Sequence, residues 1–330
     1  MHINTMKFAL YSNKDSGTPI GLMPLVTTLI LLSVHFISGA LDWPASGDIR
    51  AQRDFNSAIG MSVLTGYFWF ALRLMHQNVA STVISLLVKT NQLSQFGAHR
   101  KRLAVTFNHH LFNAMIISIM ITVIYCIMEG LIATQQEVHV LLLTATAVPF
   151  WFLALLFLFQ IFSKTSYLIN NILSETMKDY DRLNSIITIL KLSTTNSIFA
   201  MGALAIFPVF WLNKEIPSLD IMGVTFFTGF IALYLFLPVI KLKKKLTHEK
   251  HTILSNIESD MNTRIKCYAA NDDKKTGASI EVLESEKENI VKLTRYELSP
   301  KDKFRVFACI ALIPISWCIL LVTEWVINIS

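Results

Sequence analysis

Long apolar blocks alternate with polar segments along the whole chain. Seven of the apolar blocks have the length of a membrane span, and they cover residues 19–41, 57–75, 111–133, 140–163, 196–212, 220–240 and 305–327. A helix of about 20 residues crosses a hydrocarbon core of roughly 30 Å. Since backbone amides in lipid must pair within their own segment, each block is predicted to be a transmembrane helix. The fifth block contains Pro208, so its helix is expected to be irregular.

The pattern therefore predicts an all-α, polytopic integral membrane protein with seven transmembrane helices, and the composition agrees. Of the 330 residues, 53% are hydrophobic and 16% are charged, whereas about 25% of the residues in an ordinary soluble domain are charged. The four cysteines show no metal-ligand spacing and are interpreted as packing residues. The first block is interpreted as an uncleaved span, because it is longer than the apolar region of a signal peptide. Cleavage after the small residues Ser38-Gly39-Ala40 is the alternative.

The positions of the basic residues predict the orientation. With the N-terminus in the cytoplasm, 26 of the 29 Lys and Arg residues lie on the inner side, and only Arg50, Arg53 and Lys214 lie outside. Such an excess is typical of cytoplasmic loops. The sequence therefore predicts a cytoplasmic N-terminus, an outer C-terminus and location in the plasma (inner) membrane. The net charge of +6 follows from this topology and is not interpreted as nucleic-acid binding.

Three inner segments are predicted to continue the preceding spans as helical cytoplasmic extensions. None of them contains Pro or Gly, and they cover residues 77–89, 163–190 and 241–266. In the third segment, Leu246, Ile253 and Ile257 share one helix face. Because an apolar face outside the membrane needs a partner, a homo-oligomer formed through the cytoplasmic helices is predicted.

The segment between spans six and seven is predicted to be a cytoplasmic helical hairpin. A turn-rich stretch at 270–277 separates the extension of span six from a polar helix at 279–298, and Ser299-Pro300 leads into span seven. The chain is thus divided into three parts. These are a bundle of six spans with inner extensions at 1–240, the hairpin at 241–304, and the seventh helix with the outer C-terminus at 305–330.

Few polar side chains lie inside the apolar blocks, and those that do are functional candidates because lipid makes them costly. The candidates are His35, Glu129, Gln160 and Glu324. Glu129 and Glu324 form either a cation-attracting outer mouth or simply solvated positions at helix ends, and the second interpretation is favoured. His35 is either a proton-sensing or ligating group or a hydrogen-bonded packing residue, and packing is favoured.

Two basic runs adjoin the inner ends of spans. Arg100, Lys101 and Arg102 precede span three, and Lys243, Lys244 and Lys245 follow span six. Near an anionic leaflet, each Lys or Arg contributes on the order of 1 kcal/mol of attraction. Both runs are therefore predicted to contact anionic lipid headgroups of the bilayer, in addition to setting the orientation.

The sequence carries no catalytic signature. It lacks GxxxxGK[ST], GxGxxG, HExxH and GxSxG, so no catalytic, cofactor-binding or metal-binding residues are predicted. The adjacent His109 and His110 are the only clustered candidates for an intramembrane enzyme, which is the least favoured function.

Ion-poor spans combined with developed inner helices favour a non-enzymatic channel or receptor-like assembly with a cytoplasmic regulatory or oligomerisation layer. The alternative is a monomeric solute transporter with a polar cavity to which His35, Asn113 and Gln160 contribute. The predicted layout is similar to that of the insect-type chemoreceptor channels, in its seven spans, inner N-terminus, outer C-terminus and helix leading into the last span. The likeness is one of architecture, because the aromatic signature of that family's seventh span is not evident at 305–310.

Overall fold

The computed structural model describes residues 19–45, 48–131, 137–173, 177–212, 218–271, 274–295 and 300–329. All regular secondary structure in these ranges is helical. The α-helices are α1 (Leu22–Ile37), α2 (Ile49–Lys89), α3 (Phe96–Met128), α4 (Val138–Asn171), α5 (Asp179–Ile206), α6 (Ser218–Asn271), α7 (Lys274–Arg295) and α8 (Pro300–Ile329). Short 3-10 helices occupy Leu93–Gln95 and Phe207–Trp211.

Several of these helices have the length and composition of membrane spans. Within the described ranges, five qualify, and they cover Ile49–Lys89, Leu93–Met128, Val138–Asn171, Asp179–Trp211 and Lys303–Val326. Helix α1 is also apolar but has only 16 residues. The all-α prediction is confirmed, and apolar helices suited to a membrane-embedded protein are present.

The helix ends test two predictions, an irregular fifth block and a continuous helix at 163–190. The irregularity expected in the fifth block is confirmed, because α5 ends at Ile206 and a 3-10 helix containing Pro208 follows. The continuous helix predicted at 163–190 is wrong, because α4 ends at Asn171 and α5 begins at Asp179. The Asn171 side chain donates a hydrogen bond to the Tyr167 carbonyl over 3.1 Å. Such local side-chain bonds compete with the helical ladder and end a helix without Pro or Gly.

The connection between α6 and α7 is shorter than expected. A turn over 270–277 is predicted, but α6 reaches Asn271 and α7 begins at Lys274, while residues 272–273 lie outside the described ranges. Helix α7 packs along α6, where Lys287 Nζ lies 2.7 Å from Glu258 Oε1. Helix α8 begins at Pro300, a residue that suits the first turn of a helix because its missing amide proton is not needed there.

The apolar face of the part of α6 that is predicted to be cytoplasmic is covered within the chain. Leu246, Ile253 and Ile257 are 0%, 4% and 6% exposed, and they share a core cluster with the fully buried Ile290 of α7. Helices α5 and α7 supply the cover. This face therefore does not require a second copy of the chain, so the homo-oligomer remains a prediction without this support.

Contacts between distant parts of the sequence define two ends of the bundle. At one end the contacts join predicted inner segments, and the pairs are Lys89 with Thr188, His99 with Tyr167, and Arg182 with Glu249. At the other end they join residues near predicted outer loops, and the pairs are Arg53 with Glu129 and Asn56 with the Leu212 carbonyl. Helix α3 consequently runs antiparallel to both α2 and α4, whereas α2 and α4, which pack on each other, run parallel.

Candidate functional site

A polar cavity of about 330 Å³ lies between α3, α4 and α6. We call it the His110 cavity. The polar and aromatic side chains that line it are His110 and Asn113 of α3, Phe159, Phe162 and Ser163 of α4, and Tyr234 of α6. Helix α4 packs closely on α3, but within the described ranges α3 and α6 do not pack on each other. The cavity therefore occupies a gap between α3 and α6 that α4 closes at the back.

Helical spacing explains why these side chains converge. His110 and Asn113 are three residues apart on α3, and Phe159, Phe162 and Ser163 follow the same three-and-four spacing on α4, so each set lies on one helix face. The Phe162 and Tyr234 rings approach to 4.4 Å between centroids, which holds α6 against α4 at the edge of the cavity.

Gln160 supports His110 from behind. Its side-chain nitrogen donates a hydrogen bond to His110 Nδ1 over 3.0 Å, and the Gln160 side chain is fully buried. A histidine that accepts at Nδ1 carries its proton on Nε2 in the neutral form. The Gln160 Oε1 atom is buried and has no hydrogen-bond partner among the described residues. Gln160 therefore fixes both the orientation and the tautomer of the His110 ring.

Lys164 lies directly after Ser163 and is fully buried between α4 and α3. Its Nζ atom donates to the Leu103 carbonyl over 3.4 Å. Burying an ammonium group is costly unless it is hydrogen-bonded. The sequence gives no signal for this burial, because Lys164 stands one residue beyond a predicted span, where a basic residue is typical of the inner side.

A second hydrogen-bonded set ties α3 to α4 nearer the end of the bundle that holds the predicted inner segments. The Tyr167 hydroxyl lies 2.8 Å from His99 Nδ1, and the Arg102 guanidinium also hydrogen-bonds this hydroxyl. The Tyr167 hydroxyl thus accepts from Arg102 and shares a second hydrogen bond with His99. Arg102, predicted as a lipid-headgroup contact, is held on the side of α3 that faces α4.

The other predicted membrane positions lie away from the His110 cavity. His35 is fully buried, and its Nε2 atom lies 3.2 Å from the Thr146 hydroxyl, which joins α1 to α4. Glu129 is partly exposed and pairs with Arg53 at 3.2 Å. Glu324 is half-buried on α8. Of the four predicted positions, Gln160 is the one that the structure places beside the cavity.

The two basic runs that are predicted to contact lipid headgroups lie at the same end of the bundle. Arg100 and Lys245 are half-buried, whereas Lys101, Arg102, Lys243 and Lys244 are exposed. They belong to the first turns of α3 and to the part of α6 just beyond its apolar half. Both basic runs are therefore parts of helices that line the His110 cavity.

A larger groove of about 510 Å³ lies between α5, α6 and α8 and is almost entirely apolar. Met201, Leu233, Phe236, Pro314 and Trp317 are among its lining residues. Such a surface packs against hydrocarbon and offers few hydrogen bonds for selecting a ligand.

Within the described part of the chain, no group of three or more His, Cys, Asp or Glu residues is placed to hold a metal ion. In comparisons with known proteins, no family model, no curated protein and no solved structure matches this chain. The chemistry of the His110 cavity is therefore the basis for inferring function.

Proposed function

We propose that this chain is a non-enzymatic, seven-span membrane protein of the receptor or channel type that binds a ligand in the His110 cavity. One observation carries the proposal. Imidazole, amide and hydroxyl groups from α3, α4 and α6 meet in a single gap, although the apolar blocks that form these helices contain few polar residues. Polar groups placed together in a membrane bundle usually mark a site of function.

In this proposal, α1 and the apolar half of α6 join the five long apolar helices as spans. The N-terminus is cytoplasmic, the C-terminus is outside, and the host membrane is the plasma membrane. Helix α6 has 54 residues and a length of about 80 Å, more than twice a hydrocarbon core, so a large part of it lies outside the lipid. The grouping of predicted inner residues at one end of the bundle supports the same threading.

The cavity has the size and chemistry of a ligand site. Its volume of about 330 Å³ falls within the range of small-molecule pockets, which begins at about 300 Å³. Asn113 and Ser163 supply donors and acceptors, and Phe159 and Tyr234 supply aromatic walls. No carboxylate lines the cavity within the described ranges, so neutral or anionic ligand groups are favoured over cations.

The test uses the full chain in lipid nanodiscs and a defined panel of amino acids, monosaccharides, nucleosides, carboxylates and short-chain phospholipids. We expect at least one compound to raise the unfolding temperature of the wild type and to raise it less for Asn113→Leu or Ser163→Val. The matched control is Asn108→Leu, an exposed position on the same helix. The proposal is contradicted if the compounds raise the unfolding temperatures of the wild type and the three variants equally, or raise none of them.

A monomeric solute transporter is the second candidate. It is favoured by the intramolecular cover over Ile253 and Ile257, which removes one reason for an oligomeric assembly. A transporter moves the panel compound into sealed liposomes, whereas a receptor or channel binds it without taking it up and, as a channel, responds with an ionic current. Uptake that Asn113→Leu abolishes decides for the transporter.

A further inference from the structure

We propose that the ligand of the His110 cavity is a phospholipid of the inner leaflet with an anionic phosphate headgroup, an inference that rests on the function proposed above. The argument depends on how apolar, polar and basic residues succeed one another along the two helices that border the gap.

The gap between α3 and α6 opens towards the surroundings of the bundle. Tyr234 at its α6 edge is 42% exposed, and on the α3 side Leu111 and Phe112 beside the cavity are also exposed. Because α3 and α6 do not pack on each other, none of the described helices closes this side. In the proposed orientation the opening faces lipid, so a lipid molecule has direct access to the cavity.

The walls become apolar on the outer side of the cavity. One to two turns further along the same face of α3, Ile117 is exposed, and one turn earlier on the same face of α6, Phe230 is exposed. These side chains continue both borders of the gap away from His110. They offer a surface for acyl chains, which a soluble ligand does not need.

The walls become basic on the inner side of the cavity. Arg102 precedes Asn113 by eleven residues, and Lys241 and Lys245 follow Tyr234 by seven and eleven residues. At about 100° per residue, spacings of seven and eleven return to within about 20° of the same helix face. Lys241 and Lys245 therefore lie on the face of α6 that lines the gap, about 10 to 16 Å inward, from where long side chains can reach back towards the cavity. Arg102 lies at the matching level of α3, where its guanidinium hydrogen-bonds Tyr167.

The order of apolar, hydrogen-bonding and basic residues matches the order of groups in an anionic phospholipid. Acyl chains lie against the outer walls, the glycerol phosphate lies at Asn113 and Ser163, and the cations lie beyond it. Amide and hydroxyl donors form stronger bonds with a charged phosphate oxygen than with a neutral acceptor. A phosphate headgroup therefore uses the polar and the basic parts of the gap together.

The experiment measures binding of dioctanoyl phosphatidic acid to the detergent-solubilised full chain, by the shift of its unfolding temperature during a titration. Dioctanoyl phosphatidylcholine and glycerol phosphate are titrated in parallel. Two matched pairs of variants accompany the wild type. Asn113→Leu is compared with the exposed Asn108→Leu on α3, and Lys241→Gln is compared with Lys243→Gln, which lies on another face of α6.

We expect phosphatidic acid to bind more tightly than phosphatidylcholine, and glycerol phosphate to bind weakly. Asn113→Leu should weaken phosphatidic acid binding about tenfold, the effect of one lost hydrogen bond to a charged group, while Asn108→Leu leaves it unchanged. Lys241→Gln should weaken it more than Lys243→Gln does. Unfolding temperatures without lipid show whether each variant is folded, and Ser163→Val replaces Asn113→Leu if the latter is not.

Three results overturn the inference. If Lys241→Gln and Lys243→Gln weaken phosphatidic acid binding equally and Asn113→Leu has no effect, the lipid is attracted to the basic surface in general and not to the cavity. Glycerol phosphate that binds as tightly as phosphatidic acid shows a soluble anion as ligand. A neutral solute that binds in an Asn113-dependent way while phosphatidic acid does not bind removes the lipid but leaves the proposed function intact. If no compound depends on Asn113, the proposed function fails as well.

Discussion

The side chain of Gln160 donates a hydrogen bond to Nδ1 of His110 over 3.0 Å, and this bond joins α4 to α3 behind the cavity. Gln160 is fully buried, and its second polar atom, Oε1, has no hydrogen-bond partner among the described residues. A buried amide that is only half satisfied contributes little to net stability, because the one bond is offset by the unpaired oxygen. Its effect is to hold the His110 ring in one orientation.

Gln160→Leu should therefore change the free energy of unfolding by less than about 1 kcal/mol while weakening ligand binding in the His110 cavity. The lost bond destabilises and the removed Oε1 atom stabilises, so the two effects largely cancel. Thermal unfolding and a ligand titration of the same samples measure both quantities, with the exposed Gln77→Leu as control. A loss of more than about 3 kcal/mol would show that Gln160 is mainly structural.

Helices α1 and α2 approach closely at Gly66. A Cβ atom at this position would overlap the Thr28 hydroxyl and lie 3.1 Å from the Pro24 carbonyl oxygen. Gly66→Ala should therefore destabilise the protein by about 1 to 3 kcal/mol, the usual cost of overpacking. The matched control is Gly97→Ala on α3, where a Cβ meets nothing within 4 Å and a small gain in helix stability is expected.

Adding Thr28→Ala to Gly66→Ala should recover part of this stability, because the overlapping hydroxyl is then absent. Chemical unfolding of the single and double variants measures the coupling between the two positions. Independent, additive losses would contradict the close approach of α1 and α2 at this point.

The covered face of α6 predicts an intramolecular effect on stability. Ile253→Ala should cost about 2 to 5 kcal/mol, because it leaves a cavity in the core shared with Ile290. The exposed Ile265→Ala on the same helix should cost little. Unfolding is measured at two protein concentrations that differ tenfold. An effect of Ile253→Ala that depends on concentration would show that this face is an interface between copies of the chain.

Much of the helical architecture was predictable, because apolar blocks of span length leave few alternatives to a helix in lipid. The helix ends were less predictable, because they depend on side-chain contacts. The end of α4 at Asn171, for example, is not marked by Pro or Gly in the sequence. Gln160 was identified from its polar character within an apolar block. Lys164 and Tyr234 were not, since the burial of Lys164 and the position of Tyr234 at the cavity follow from the packing of several helices, which periodicity along one helix does not encode.

The hydrogen bond between Lys287 and Glu258 predicts a pH effect on the hairpin of α6 and α7. The bond and the charge of Lys287 lower the pKa of the Glu258 carboxyl below its ordinary value of 4.5. Because the folded-state pKa is lowered, the stabilising effect is complete well above pH 4.5 and is lost as the pH falls through the folded-state pKa.

A ¹³C carboxyl titration of Glu258 should therefore show a midpoint below 4.5 in the wild type and a higher midpoint in Lys287→Gln. Lys292→Gln, which removes a charge one turn further along α7, should leave the midpoint unchanged. A midpoint that Lys287→Gln does not raise would contradict the pairing.

The most direct test of the proposed threading is the accessibility of single cysteines in intact cells. The four native cysteines are replaced by serine, and Lys243→Cys or Glu137→Cys is introduced at an exposed position. A membrane-impermeant maleimide should label Glu137→Cys in intact cells and Lys243→Cys only after the membrane is permeabilised. Labelling of Lys243→Cys in intact cells would place the basic end of the bundle outside and contradict the account.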